Sequence, residues 1–244
     1  MGAGRIIRSE THTRDGAVGG QLPTTIAIDG PAASGKNTVG ILLARRLGYP
    51  FVDSGAMYRA VTLRALAEGV GMEDHEALAA LARRLRFHFT SSSERFPAGR
   101  IFVDGQDVTD ALRDPMVDAH VSLVARIPEV REILVRQQRK LAEDGPIIMA
   151  GRDIGTVVLP DADLKVYLDA SSAERAYRRY RELRSRGETV EFAQVLADLE
   201  QRDRLDRERE ASPLRPAPDA LVMTTDSLTP DEVVAQIMHT IADC

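Results

Sequence analysis

Short apolar runs and amphipathic stretches alternate along most of this chain. The run TTIAID, 24–29, reads as a strand, and Lys36–Leu47 beyond it carries apolar residues at helical spacing. YPFVDS predicts a second strand, and AMYRAVTLRALAEG and HEALAALARRL predict two helices. Between 86 and 109 the period changes. RFHFT and RIFVDG are short β-type runs separated by SSSERFPAG, and the polar GQDVT completes a small antiparallel unit. Helical spacing returns in VDAHVSLVARI and in PEVREILVRQQRKLAED, where Pro128 suits a first helical turn.

PIIMAG and DLKVYLDA predict two further strands, and ALVMTT is the last. Arginine-rich helices are expected over 173–186 and 192–210, joined near Gly187. In the closing TPDEVVAQIMHTIADC, Thr229 precedes Pro230, and Glu232 stands three residues after the threonine, which is a capped helix start. Strands alternating with helices imply an α/β fold: a parallel β-sheet core with helices on both faces, here with a small antiparallel β insertion at 86–109. Ligands in such sheets collect beyond the carboxyl ends of the strands. The informative residues should therefore follow strands directly, and three stretches do: 30–38, 53–59 and 151–155.

The 244 residues suffice for one domain with an insertion, expected over 24–244. Residues 1–23, rich in glycine, arginine and polar side chains, lack the apolar core of a secretion signal and are expected to be a disordered extension. A net charge of -5 argues against a general coat for DNA or RNA. The single cysteine, Cys244, can make no disulfide within the chain, and no cysteine cluster suggests zinc. No segment has the apolar length of a membrane span, so a cytoplasmic protein with small-molecule partners, neither nucleic-acid-bound nor membrane-bound, is expected.

The stretch GPAASGKNT has the context of a phosphate-binding loop, a strand before it and a helix opening on lysine after it. Gly30 and Gly35 allow the backbone to curl so that successive N–H groups point at phosphate oxygens, and the helix adds its positive end. Lys36 is one of only three lysines in the chain, with Lys140 and Lys165. It supplies a mobile charge for the β- and γ-phosphates. The usual pattern places Ser or Thr directly after the lysine, whereas here Asn37 intervenes and Thr38 follows.

DSGAMYR, 53–59, sets Ser54, Tyr58 and Arg59 at a strand-to-helix junction, which suits an anionic second substrate; a helix cap with a solvated arginine would look the same. GRDIGT puts Arg152 and Asp153 directly beyond a buried strand, the position of a ligand contact, although a surface pair in a turn has the same composition. QRDRLDRERE brings Arg202, Asp206 and Arg209 onto one helix face. Such charge runs are by default solvated. Together with AERAYRRYRELRSRG, however, they gather guanidinium groups that a polyphosphate would neutralise.

In order and spacing, GPAASGKNT, DSGAMYRA, GRDIGTVVLPDADLKVYLDAS and RDRLDRE…SPL…APDALVMTT resemble the bacterial cytidylate kinases, within the nucleoside monophosphate kinase family. The resemblance runs from about Thr24 to the C-terminus, includes VSLVARIPEVRE, and accommodates the 86–109 insertion in the monophosphate-binding region. It implies a P-loop kinase fold with an arginine-rich lid at 175–191. It also implies transfer of the γ-phosphoryl group of ATP to CMP or dCMP, with magnesium held largely by phosphates and water rather than by direct protein ligands. ATP binding falls to Gly30, Pro31, Ala32, Ala33, Ser34, Gly35, Lys36, Asn37 and Thr38, with Asn37 in a variable slot and Thr38 supplying the hydroxyl. Ser122, Arg131 and Asp153 are expected around the cytosine edge, and Arg202 and Asp206 at the sugar hydroxyls. Arg59, Arg152 and Arg209 are expected around the monophosphate, with Ser54 nearby and Tyr58 lining the pocket. Lys36, Arg152, Arg175 and Arg179 are expected to act on the transferred group, in a monomer.

Two other readings share parts of this pattern. A kinase acting on a small-molecule hydroxyl would need a carboxylate base, and Asp53 could serve. A nucleotide-dependent switch would need a guanine-reading Asn-Lys-x-Asp segment, and neither Lys140 nor Lys165 lies in one.

Overall fold

A computed structural model describes residues 5–7, 22–90 and 99–243. The chain begins with β1 (Arg5–Ile7), β2 (Thr25–Asp29), α1 (Lys36–Leu47), β3 (Phe51–Asp53), α2 (Ser54–Glu68) and α3 (His75–Arg84). It continues through β4 (Phe87–Thr90), β5 (Ile101–Val103), β6 (Gln106–Asp107), α4 (Pro115–Ala125), α5 (Pro128–Glu143) and β7 (Ile147–Gly151). A π-type turn, Ile154–Val158, leads to β8 (Leu164–Asp169), α6 (Ser172–Ser185), α7 (Phe192–Glu208), β9 (Leu221–Thr224) and α8 (Pro230–Ala242).

The main sheet has the order β3-β7-β2-β8-β9, with every neighbouring pair parallel. Its central strands are covered on both faces, which is why they read as unbroken apolar runs rather than as alternation. All five residues of β7 are buried. Alternate residues divide between two cores. Ala27, Val52 and Met149 pack with α2, α3, α4, α5 and the small sheet, whereas Ile26, Ile28, Ile148 and Ala150 pack with α1 and α8. α8 opens with the expected capping box: the Thr229 side chain accepts from Glu232 N, and the Glu232 carboxylate accepts from Thr229 N at 2.7 Å.

The second sheet has the order β1-β4-β5-β6, antiparallel through β4, β5 and β6. It differs from expectation in one respect. Arg5–Ile7, inside the stretch expected to be disordered, pair in parallel with β4, supplying an edge that β4 would otherwise leave open. The rest of 1–21, the 91–98 segment of the SSSERFPAG connection, and Cys244 lie outside the described residues.

The parallel strands β2, β3 and β7 end at Asp29, Asp53 and Gly151. The loop 30–35, the start of α2 and the turn after β7 therefore emerge on one edge of the sheet. α6 and α7 lie against that edge, sharing a small apolar cluster in which Ala32 of the loop packs with Ala176, Val195 and Leu199.

Candidate active site

The loop after β2 is shaped by backbone geometry. Gly30 has φ 148°, and a Cβ there would stand 2.0 Å from the Leu168 carbonyl oxygen of β8. Gly35, at φ 95°, forms the left-handed entry to α1. Between them Ala33 holds φ 59°, a conformation that costs an L-residue roughly 1–2 kcal/mol. α1 has no side-chain cap and no acidic residue in its first turn, so its first N–H groups and its positive end remain available to an anion. The Lys36 ammonium curls back over the loop, donating to the Pro31 carbonyl at 2.6 Å and to Ser34 Oγ at 3.4 Å. Burial, then the neighbouring Arg152, push its pKa well below the ordinary lysine value.

Residues behind the loop hold it in place. Arg178 on α6 donates to Thr225 at Oγ1 (3.1 Å) and at the carbonyl (2.6 Å), and Thr225 Oγ1 lies 3.3 Å from the Ser34 carbonyl oxygen. Asp29, buried at the end of β2, accepts from Ile154 N at 2.8 Å and Gly155 N at 2.7 Å, tying the loop's base to the turn after β7. Burial raises its carboxyl to about 6, against the lowering effect of those two bonds.

A cleft of about 760 Å³ runs from this loop past the start of α2 to the face of α4 and the turn after β7. Ala32, Ala33, Gly35, Lys36, Asn37 and Thr38 line its loop end, whereas Gly30, Pro31 and Ser34 do not border the cleft. Asn37 is engaged rather than idle: its amide donates at 2.8 Å to Asp53, whose other oxygen accepts from Gly55 N at 2.9 Å and caps α2. The two helices that start at the cleft are thereby joined.

At the far end the charged groups are buried and paired. Arg131 of α5 donates to Asp153, which also meets Arg209 at 3.5 Å. The Arg131 guanidinium lies 5.5 Å from the centre of the Tyr58 ring. Burial pushes the Tyr58 phenol up to about 12, so it remains a neutral donor. Between the two ends, Arg152 donates at 2.8 Å to Asp206, and Arg202 donates at 3.1 Å to Ser122 Oγ. Burial, with Arg152 and Arg59 close by, lowers Arg202 to about 10, an excess of positive charge that an anion would relieve. Arg59 of α2 is held by Asp118 of α4, as is Arg179 of α6.

Most residues singled out in the sequence thus meet in one cleft: Lys36, Ser54, Tyr58, Arg59 and Ser122 from the first half of the chain, and Arg131, Arg152, Asp153, Arg179, Arg202, Asp206 and Arg209 from the second. Some occupy other stations than expected. Arg209 stands at the Asp153 end, where it also donates to the Ser212 carbonyl at 2.5 Å. Asp206 engages Arg152. Ser54 Oγ donates to the Ala150 carbonyl at 2.9 Å, so its hydroxyl fastens α2 to β7.

Arg175 departs from its expected role. It is 2% exposed and does not line the cleft. Its guanidinium donates to the carbonyls of Ala170 (2.9 Å) and Ala32 (3.2 Å), to Ser172 Oγ (3.2 Å) and to Asp203 (2.6 Å). With its donors engaged in this way it braces the loop against α6 and α7 instead of reaching a ligand. The cation-rich face of the region expected as a lid, 175–191, is supplied by Arg178, Arg179 and Arg186, all lining the cleft. Arg178 and Arg186 belong to the expected arginine-rich lid without having been singled out in it, and Glu182, Asp118 and Asp29 were not foreseen. Glu182 and Asp118 lie within helical stretches whose polar residues read as solvated, and Asp29 is simply the polar end of an apolar strand.

The family model described as "Cytidylate kinase" matches residues 26–243. The cytidylate kinase of Caldanaerobacter subterraneus subsp. tengcongensis is 47% identical over 220 residues, covering 90% of this chain and 95% of its own. That of Geobacillus kaustophilus is 50% identical over 216 residues, covering 88% and 95%. That of Chloroflexus aggregans is 48% identical over 222 residues, covering 90% and 94%. With a parallel sheet presenting a lysine-bearing phosphate loop at one end of a cleft and buried arginine–carboxylate pairs at the other, and with a family model that spans nearly the whole domain, this chain belongs to the cytidylate kinase family.

Proposed function

We propose that this protein transfers the γ-phosphoryl group of ATP to CMP or dCMP, giving the nucleoside diphosphate and ADP. One observation carries the reading: a phosphate loop with Lys36 and a buried Arg131–Asp153–Arg209 group share a single cleft, with Arg59, Arg152 and Arg202 between them. A triphosphate fits the loop, and a monophosphate the intervening arginines. The Asp153 carboxylate can accept from an exocyclic amine, which cytosine offers and uracil does not, and Arg131 and Ser122 can donate to the remaining ring acceptors.

The acceptor is a phosphate oxygen whose second pKa is about 6, so it is mostly ionised at neutral pH and needs no general base. The task of the chain is then to hold two anions in line and to neutralise the charge spread over the transferred group. Lys36 serves at the donor side. A bound polyphosphate reverses the depression of its pKa, because an opposite charge favours the ammonium. Arg152 stays cationic despite burial, held up by Asp206. Arg179 faces the same space from α6. Closure of the 175–191 region excludes water that would otherwise hydrolyse ATP.

Magnesium would arrive with ATP and, when bound, neutralise phosphate charge. The Thr38 hydroxyl and Asp53 carboxylate, which line the donor end, are hard oxygen donors suited to an ion that keeps several waters. The competing reading, with Asp53 as the base for a hydroxyl acceptor, is disfavoured because Arg59, Arg152 and Arg202, which line the cleft beyond the loop, suit an anionic phosphate acceptor rather than a neutral hydroxyl. Among the described residues no helix is long and apolar enough to cross a membrane. We place the enzyme in the cytoplasm as a monomer that needs no nucleic acid.

A coupled ADP-release assay with ATP and magnesium, offered CMP, dCMP, UMP, AMP and shikimate in parallel, tests the reading. Turnover with CMP and dCMP well above UMP is expected. Turnover with shikimate alone would return the site to hydroxyl chemistry.

A further inference from the structure

We propose that Asp118 is a positioning residue that couples occupancy of the acceptor-phosphate end of the cleft to the placement of Arg179 on α6. The inference rests on the cytidylate kinase reading above and goes beyond it.

The carboxylate of Asp118 is divided between two partners. Oδ1 accepts from Arg59 Nη1 on α2, and Oδ2 accepts from Arg179 Nη2 on α6 at 2.5 Å. These partners lie 59 and 61 residues away in opposite directions along the chain, so the link is made by the fold alone. Support of its own helix does not account for it. Asp114 already caps α4, accepting from Met116 N at 2.7 Å. Asp118 instead projects from the face that carries Ser122 one turn later, and both line the cleft.

The bridge is electrostatically firm. The side chain is only 20% exposed, so its pairs are less screened than surface ones. Burial pushes the carboxyl up, but Arg59, Arg179 and Arg202 together outweigh it and hold the group below the usual carboxylate value. Asp118 is therefore an anion at neutral pH.

Its partners have different secondary attachments. Arg59 also reaches the Leu112 carbonyl, at 3.5 Å, a marginal bond, so Asp118 is what aims its guanidinium. Arg179 is shared with Glu182 at 2.8 Å. A guanidinium carries five N–H donors in a rigid fork, so Arg59 can keep Asp118 on one nitrogen while offering others to a phosphate. A phosphate that draws Arg59 toward itself must then move the carboxylate that also holds Arg179. One anion arriving at the acceptor end thus resets a cation on α6, the helix of the region expected to close over the ATP phosphates. The reverse holds with the same free energy, because coupling between sites is reciprocal.

The test is titration calorimetry of a non-hydrolysable ATP analogue, with and without saturating CMP, on wild type, Asp118→Asn and Asp118→Glu, alongside steady-state kinetics. In wild type, CMP is expected to tighten analogue binding by about fivefold or more. In Asp118→Asn that ratio should collapse to about one, with KM for CMP rising more than KM for ATP, and Asp118→Glu should restore part of the ratio. A merely structural role would lower the unfolding temperature or the active fraction but leave the ratio intact, since each protein is its own reference. An unchanged ratio in Asp118→Asn overturns the proposal. So does a wild type that turns over CMP yet shows no coupling. A wild type that turns over no CMP fails the activity reading itself and takes the proposal with it, an outcome visible before any variant is made.

Discussion

The donor end of the cleft is a backbone structure, whereas the acceptor end is an assembly of side chains. The backbone groups of the loop 30–35 are fixed by two glycines at positive φ and by the start of α1. The glycines, the lysine and the helix start that form this end are contiguous in sequence. At the other end Tyr58, Ser122, Arg131, Asp153, Arg202 and Arg209 come from α2, α4, α5, the turn after β7, α7 and the residue beyond it, and are held by ion pairs and hydrogen bonds. A backbone cradle binds any suitable polyphosphate and tolerates side-chain change. A buried side-chain network discriminates, because each unmatched group is left unpaired in a medium that screens poorly.

The largest expected effect sharpens this contrast within the donor end. Lys36→Ala removes the one side-chain cation of the loop and should lower kcat by about 10³, on the scale of losing a group that stabilises transferring phosphoryl charge. Asn37→Gly removes only the bond to Asp53 and should cost about tenfold or less, near the worth of one hydrogen bond to a charged group. Steady-state rates of the two variants check this; equal losses would mean that the loop depends on Asn37 as much as on its lysine.

The next effect concerns the acceptor end. Asp153→Ala removes the acceptor that the exocyclic amine of cytosine needs, and should lower kcat/KM for CMP by roughly 10² while leaving UMP nearly unchanged. The measurement is the ratio of kcat/KM for CMP to that for UMP, in which any loss of folded protein cancels. A ratio equal to wild type would remove Asp153 from base recognition.

The smallest effect lies where the two ends meet. Asp29 has a carboxyl raised by burial from 3.8 to about 6, so the folded state binds a proton that the unfolded state releases. Its contribution is fully present below the ordinary carboxylate value and is lost as pH rises through about 6. Relative to Asp29→Asn, wild type should lose about 2 kcal/mol between pH 4 and pH 7. Unfolding midpoints of both proteins across that range read the difference; parallel curves would mean that Asp29 is ionised throughout.

How legible each region was in the sequence follows from the same contrast. The loop and the start of α1 could be read as they stand, because the glycines, the lysine and the helix pattern are contiguous. The strands β2 and β7 were visible as apolar runs because both their faces are buried. Arg175 was misjudged for the opposite reason. It sits in AERAYRRYRELRSRG among identical side chains, and only packing reveals that this one turns inward to Ala32 and Asp203. Asp118 looked like an ordinary acid in a helix first turn, which it also is.

The sequence by itself determined the α/β alternation, the phosphate loop, the α8 capping box and the residues from which an acceptor site could be drawn. Those depend on local periodicity and on turn chemistry within a few positions. Which arginines line the cleft, which brace the scaffold, and which carboxylate is shared between Arg59 and Arg179 were decided by tertiary structure alone. A guanidinium's role is set by the acceptors within about 3 Å of it, and those acceptors come from helices and loops that meet only after the sheet has assembled.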